Sequence, residues 1–343
     1  MLSTLMIIMR HILATALFTL LLGTSNLVAA KDLRFAVISK EENNPFFLAS
    51  RDGCLAAAQE LEGIQCVFRG PPNIDVRKQD RIIEQLIEEG VDGIAVAVSQ
   101  SEFLASNSIH KAIKLGIPVI TYDADFSKES LEAQPNLRTS YIGTNDFELG
   151  KALGEQLKSH LPNGGNIIIQ SGRPDSPNLN LRVMGVRAAL SGKTYTDSPG
   201  EQLTGENGWK EFSKPLYNFG QFDRAQRDLK NVLASHKRKN IAAVVAVGGW
   251  TQFLPSYRTI VEPYQEAIAN KEFIIITADT ADEQLVYLKD NLAHGNIGQN
   301  PHEMGRQAIL TLYKLVNKQP VSEVVHIPMT YCTPENFSTC TKN

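Results

Sequence analysis

Apolar and polar positions follow two rhythms that take turns along the chain. Residues 33–39 form a short, β-rich apolar run, the pattern of a buried strand. Residues 46–61 continue at helical spacing, with Pro45 at the first turn. A short strand at 65–68 and an amphipathic helix at 76–89 come next. Ile82, Ile83, Leu86 and Ile87 line one face of that helix, and Gly90 ends it. A strand at 93–98, a helix at 103–115 stopped by Gly116 and a strand at 118–122 complete the first set. The polar stretch 127–136 interrupts the rhythm, which then restarts. It gives a strand end at 141–142, a helix at 147–160, a strand at 166–170 and a helix at 179–190. A helix at 222–236, strands at 241–247 and 273–277, a short strand closing at Ile297 and a helix at 301–315 follow. Repeated β-α-β units predict an α/β protein whose parallel sheets carry helices on both faces. Two units of similar size succeed one another. Residues 194–218, with many Gly and polar residues, show no clear period.

The start of the chain has a different layout. Arg10 and His11 precede the apolar run 12–22, and Val28-Ala29-Ala30 gives a small-residue end before Lys31-Asp32. This is the pattern of an export signal, residues 1–30, cleaved near Ala30. The apolar run is too short for a membrane span, which needs roughly 20 residues. Met6 and Met9 are alternative starts to Met1. No Cys follows the cleavage site, so a lipid anchor is not expected. The expected product is soluble and periplasmic.

Composition narrows the function classes. The 343 residues are 43% hydrophobic, and 34 Lys+Arg against 37 Asp+Glu give a net charge of −3. That balance argues against general nucleic-acid binding, which needs a basic surface to displace counterions. Gly192-Lys193-Thr194 resembles the end of a phosphate loop, but Arg187 stands where the loop's first Gly belongs. The chain has no GxGxxG after the first strand, no HExxH, no GxSxG and no CxxC. Asn336-Phe337-Ser338 matches a glycosylation acceptor, a pattern common by chance. Nothing pairs a nucleophile with a base. No catalytic residue, metal site or cofactor is assigned, and the chain is not read as an enzyme.

What remains is a set of polar and aromatic residues at strand ends, where open α/β sheets bind ligands. Asn43-Asn44-Pro45-Phe46-Phe47 follows the first strand and Asp123 the fourth. Arg173, Asp175, Asn178 and Arg182 follow the sixth. Phe222 opens a helix, Gly248-Gly249-Trp250 follows Val247, Asp279 follows Thr277 and Gln299 follows Ile297. Aromatic rings cover the C–H faces of a neutral polyhydroxylated ligand, while carboxylates, amides and Arg forks satisfy its hydroxyls. Each residue also has a local alternative. Asn44 suits a helix N-cap, Asp123 and Asp279 suit strand-end turns, Phe47 suits the core, and Trp250 suits packing between lobes. Replacing Asp279 or Phe47 by Ala is expected to weaken sugar binding by at least about tenfold, 1.4 kcal/mol, with thermal unfolding without ligand nearly unchanged.

In this order and spacing the residues resemble the ribose-type periplasmic binding proteins of sugar ABC transporters, which are related to LacI-type ligand domains. The motifs are Asn44-Pro45-Phe46-Phe47, residues 117–123, and Tyr141-Ile142-Gly143-Thr144-Asn145-Asp146 with Leu149-Gly150. Arg182 with Gly185, Phe222-Asp223-Arg224, Asp279 and Gln299-Asn300-Pro301 complete the set. The resemblance implies two similar Rossmann-like lobes with parallel central sheets. Three crossings near Gly143, Asn300 and Pro328 form a hinge, and the ligand cleft lies between the lobes. The N-terminal lobe is expected at 31–143 plus 300–327, the C-terminal lobe at 144–299 plus 328–343. It implies sugar-binding roles for Asn44, Phe46, Phe47, Asp123, Arg182, Phe222, Asp279 and Gln299, to which the strand-end reading adds Asn178 and Trp250.

Two departures matter. Ribose-type members often carry Arg after the fourth-strand Asp, where this chain has Ala124; they often carry Asn-Asp where it has Gly248-Gly249-Trp250. A ligand other than ribose is therefore expected: another pentose, a hexose, a polyol or a sugar derivative. No DxDxDG calcium loop is present. The implied partner is an ABC permease in the inner membrane; the alternative is a sensor role toward a chemoreceptor or sensor kinase. The family is usually monomeric. An export signal places the four cysteines in an oxidising compartment. Of three possible pairings, only Cys54–Cys66 with Cys332–Cys340 leaves both lobes unstapled and hinge closure free.

Overall fold

Residues 32–340 are described in a computed structural model of the chain. The expected export signal at 1–30, with its alternative starts, lies outside the described residues. The first lobe begins β1 (Leu33–Ile38), α1 (Pro45–Glu60), β2 (Ile64–Arg69), α2 (Val76–Glu88) and β3 (Gly93–Val96). It continues through α3 (Ser101–Ser106), α4 (Ser108–Lys114), β4 (Val119–Tyr122), α5 (Lys128–Ala133) and β5 (Tyr141–Gly143). The second lobe begins α6 (Asp146–His160), β6 (Gly165–Ser171), α7 (Pro177–Ser191), β7 (Trp209–Glu211), β8 (Leu216–Tyr217) and α8 (Phe222–Lys239). Then come β9 (Ala243–Ala246), α9 (Ser256–Val261), α10 (Gln265–Ala269), β10 (Ile274–Ala278), α11 (Asp282–Lys289) and β11 (Gly295–Gly298). The chain returns through α12 (Pro301–Val316) and β12 (Val324–His326), and ends on β13 (Thr330–Cys332).

The first sheet runs β12-β5-β4-β3-β1-β2, and all its pairs are parallel. The second runs β13-β11-β10-β9-β6-β7, with β8 also on β6, and only β13 is antiparallel. Central strands such as β3 (GIAV) and β9 (AVVA) are buried along their whole length. That is why they read as unbroken apolar runs rather than alternations. Each sheet has a core on both faces.

Two helix pairs set the geometry of the cleft. In the first lobe α1 meets α12 where a Cβ on Gly53 would lie 1.8 Å from the His302 carbonyl oxygen. In the second lobe α6 meets α7 where a Cβ on Gly150 would lie 1.9 Å from the Arg182 carbonyl oxygen. Backbone contact this close fixes α1 against the start of α12 in the first lobe, and separately α6 against the Arg182 turn of α7 in the second.

Several elements differ from the sequence expectation. The helix expected at 103–115 is two, broken at Asn107 (φ −119°, ψ −109°), whose Nδ2 donates to the Phe103 carbonyl at 2.7 Å. The side chain competes with the backbone for helix hydrogen bonds. The polar stretch 127–136 holds α5, capped by the Ser127 hydroxyl accepting from the Ser130 N–H. Residues 194–218 contain β7 and β8, too short to show alternation. They are held by a buried bidentate pair between Arg187 and Glu211, at 2.7 and 2.8 Å. Helices α9–α11 and strands β12 and β13 have no signature in the apolar pattern because they are only three to eight residues long. The disulfides are Cys54–Cys66, joining α1 to β2, and Cys332–Cys340, joining β13 to the tail. Among the described residues no helix is long and apolar enough to cross a membrane.

Candidate functional site

The carboxyl ends of the two sheets face each other across a cavity of about 80 Å³. At 10–15 Å³ for one water-sized group, it has room for one small ring and not for a chain of them. The first lobe contributes Lys40 after β1, Asn44, Phe46 and Phe47 at the start of α1, Ser99 after β3, and Asp123 after β4. The second contributes Asn178, Leu179 and Arg182 on α7, Trp250 and Phe253 after β9, and Asp279 after β10. Gln299, between β11 and α12, completes the ring. Two aromatic rings thus come from each lobe. Ile74 of the first lobe and Gly220 of the second close one edge, where a Cβ on Gly220 would lie 2.6 Å from Ile74 Cδ1.

Asp123 and Asp279 occupy matching places in the two lobes, one residue past the end of a central strand. Both take a left-handed backbone, with φ 60° and 70°. Their N–H groups donate to the neighbouring strands, at Ile142 (3.0 Å) and Ile297 (2.8 Å). Asp tolerates this conformation better than most residues. Lys40 Nζ lies 3.0 Å from Asp123 Oδ2, and both are buried.

A continuous hydrogen-bond chain ties the second lobe to the chain crossings. Arg182, 3% exposed, donates through Nε to Asp146 Oδ1 (2.7 Å), through Nη1 to the Val247 carbonyl (3.1 Å) and through Nη2 to Gln299 Oε1 (2.8 Å). Gln299 Nε2 donates to Asp279 Oδ1 at 2.8 Å, and the Gly249 N–H donates to Asp279 Oδ2 at 2.9 Å. Thr144 Oγ1 donates to Gln299 Oε1 at 3.1 Å. Burial pushes the Asp146 carboxyl up to about 6, against the opposing pull of Arg182. Burial also raises Asp279, partly offset by the nearby Arg182 charge. Each carboxylate oxygen of Asp279 has accepted one hydrogen bond and keeps a lone pair for a ligand hydroxyl.

Nine of the ten residues singled out in the sequence line this cavity. Asn44 does so while also capping α1, its Oδ1 accepting from the Phe46 N–H at 3.0 Å. Asn178 Oδ1 accepts from Ser176 Oγ at 2.9 Å. Phe222 does not line the cavity. Its ring packs edge-on behind Phe253, centroids 5.4 Å apart, so it supports the wall. Lys40, Ile74, Ser99 and Phe253 were not foreseen. Lys40 follows a buried strand directly, a position that could have marked it. Phe253 lies on a short turn with no periodic signal.

Trp250 lies over the ends of β6 and β9 because two glycines leave space. A Cβ on Gly248 would sit 2.4 Å from Trp250 Cη2, and one on Gly172 3.0 Å from Cζ2. Gly248→Ala is expected to drive the indole into the cavity. Overpacking costs about 1–3 kcal/mol, so calorimetric titration should show affinity falling about tenfold, while wild-type affinity would refute the indole's placement.

The profile of the periplasmic binding protein domain matches residues 35–320. The D-ribose/D-allose-binding protein of Pseudomonas aeruginosa is 28% identical over 217 residues, 62% of this chain and 66% of that protein, so the match spans just under two thirds of that relative's length. The ribose import binding protein of Haemophilus influenzae is 22% identical over 308 residues, 90% of this chain and 94% of that protein. Among solved structures, an ABC transporter solute-binding protein from Burkholderia graminis in complex with D-arabinose superposes with a TM-score of 0.75. It is 25% identical, over 91% of this chain and 99% of that one.

Proposed function

We propose that this chain, which belongs to the periplasmic binding protein family, captures one monosaccharide or sugar-like polyol between its lobes and delivers it to an ABC importer. The observation that carries this reading is the cavity itself. Paired aromatic rings from both lobes enclose a ring of carboxylate, amide and guanidinium groups that are already held in place by protein partners. A buried hydroxyl left unpaired costs about 1–3 kcal/mol, so a site for a polyol needs its polar groups many and prearranged. The relatives' sugar and import names point the same way. The pocket is assigned a binding role and not a catalytic one.

We place the lobe boundaries at 31–143 plus 300–327 and at 144–299 plus 328–343, as the sheet memberships favour. The open form binds the ligand, the lobes close about the crossings, and the closed form docks on the permease. Apparent affinity is the intrinsic affinity reduced by the fraction of binding-competent protein. The periplasm and a monomeric state belong to the same proposal.

A thermal-shift screen of pentoses, hexoses and polyols tests it. At 100 Kd a ligand adds about 2.7 kcal/mol, which raises Tm by roughly 4 °C for a chain of this size. The best ligand should also change tryptophan emission, because of the two tryptophans Trp250 lines the cavity and Trp209 is buried in the second core. A screen in which no sugar or polyol stabilises the protein would refute the reading.

A further inference from the structure

Resting on the sugar-capture reading above, we propose that the cavity continues past Asp279 into an apolar annex that receives the exocyclic carbon of a pyranose. Hexoses and deoxyhexoses are then preferred over the pentoses that lack this carbon. A second cavity of about 30 Å³ adjoins the first and shares Phe46, Phe253, Asp279 and Gln299 with it. Its remaining wall is Pro45, Ala49, Thr280, Ala281 and Pro301. At 10–15 Å³ for one water-sized group, it takes about two heavy atoms, the size of a methyl or hydroxymethyl branch.

The chemistry of the partition sets the orientation. Asp279 and Gln299 hold each other at the boundary of both cavities, so ring hydroxyls are satisfied there. Beyond them the wall is mostly proline and alanine, which offers C–H surface and few donors. Ala49 lies three residues after Phe46 on α1, the spacing that puts two side chains on one helix face. Any larger residue at position 49 fills the annex from the first lobe, and Ala281 at the start of α11 bounds it from the second.

Calorimetric titration with sugar pairs that differ by one exocyclic methyl carbon tests this: L-arabinose with D-fucose, D-xylose with D-quinovose, D-lyxose with D-rhamnose, and D-ribose with 6-deoxy-D-allose. In each pair that binds, the longer sugar should bind about fourfold tighter, the equivalent of ~0.8 kcal/mol for one buried carbon at 1.4 kcal/mol per tenfold. Ala49→Leu should abolish or invert that ratio. Ala281→Val should do the same from the other lobe, and the unliganded unfolding midpoint of each variant identifies any that fails to fold. Equal or weaker binding of the longer sugar in every pair that binds, or a ratio that neither folded variant alters, overturns the annex alone. Failure of every sugar to bind overturns the capture reading and the annex with it.

Discussion

Asp279→Asn is expected to weaken sugar binding by 10- to 100-fold while costing the unliganded protein no more than about 1–3 kcal/mol. A hydrogen bond to a charged group contributes roughly 1.5–3 kcal/mol, and the carboxylate faces the cavity with a free lone pair on each oxygen. Its geometry is fixed from behind by Gln299 Nε2 and the Gly249 N–H. Asparagine keeps the shape and tolerates the left-handed backbone at φ 70°. It must, however, turn an NH₂ group toward one of those two donors and loses the charge that strengthens both ligand contacts. The unliganded fold loses one of those two contacts, a cost of about 1–3 kcal/mol, partly offset because burial already disfavours the charged form of Asp279. Asp279→Ala loses the same contacts and also the short polar side chain whose local hydrogen bonding lets Asp and Asn tolerate the left-handed region, so part of that region's roughly 1–2 kcal/mol falls on the fold. Calorimetry on the tightest ligand decides it: unchanged affinity in Asp279→Asn would remove Asp279 from the site.

Phe47 shows where sequence reasoning stopped short. By motif it stands beside Asp279 as an equal candidate, and both line the cavity. Yet Phe47 is 5% exposed and belongs to the core cluster of β1, β3 and β4, its ring edge-on to Tyr122 at 6.4 Å. Phe→Ala in such a place costs about 3–5 kcal/mol of stability, and the side chain belongs at once to the core and to the cavity lining. An affinity loss in Phe47→Ala cannot be read apart from the fold.

The alternating fold was legible because buried parallel strands and amphipathic helices leave long, periodic traces. The strand-end rule located Asp123, Asp279 and Gln299, since a position relative to a strand is a property of the sequence. Lys40 stands at a strand end that the same rule covers and could have been marked; Phe253 escaped because it lies on a short turn with no periodic signal. Phe222 was misplaced by one layer: a helix start signals proximity to the cleft, not which ring reaches it. The local disulfides were legible from the expectation of moving lobes, which only the local pairing leaves unstapled.

Arg182→Met is expected to cost about 3–5 kcal/mol of folding stability at neutral pH, the range for removing one partner of a buried ion pair, and to abolish tight binding. Arg182 joins the first crossing, through Asp146, to the second, through Gln299, and through Gln299 to Asp279. Without it Asp146 is left as a buried carboxylate with no cation, and Gln299 loses a donor. The pH dependence follows from Asp146. Its folded-state value, about 6, lies above the ordinary 3.8, so its contribution to stability is fully present below the ordinary value and is lost as pH rises through about 6. Removing Arg182 takes away the charge that was lowering it, so the group rises further and the variant's deficit shrinks on the acid side. Urea unfolding should therefore show a smaller gap between wild type and Arg182→Met at pH 5 than at pH 8. Adding Asp146→Asn should recover stability at pH 8, because no charge is then stranded, yet leave binding lost, because Gln299 still lacks the guanidinium that orients it toward Asp279. A stability gap of equal size at both pH values would show that the pair does not titrate as the buried geometry requires.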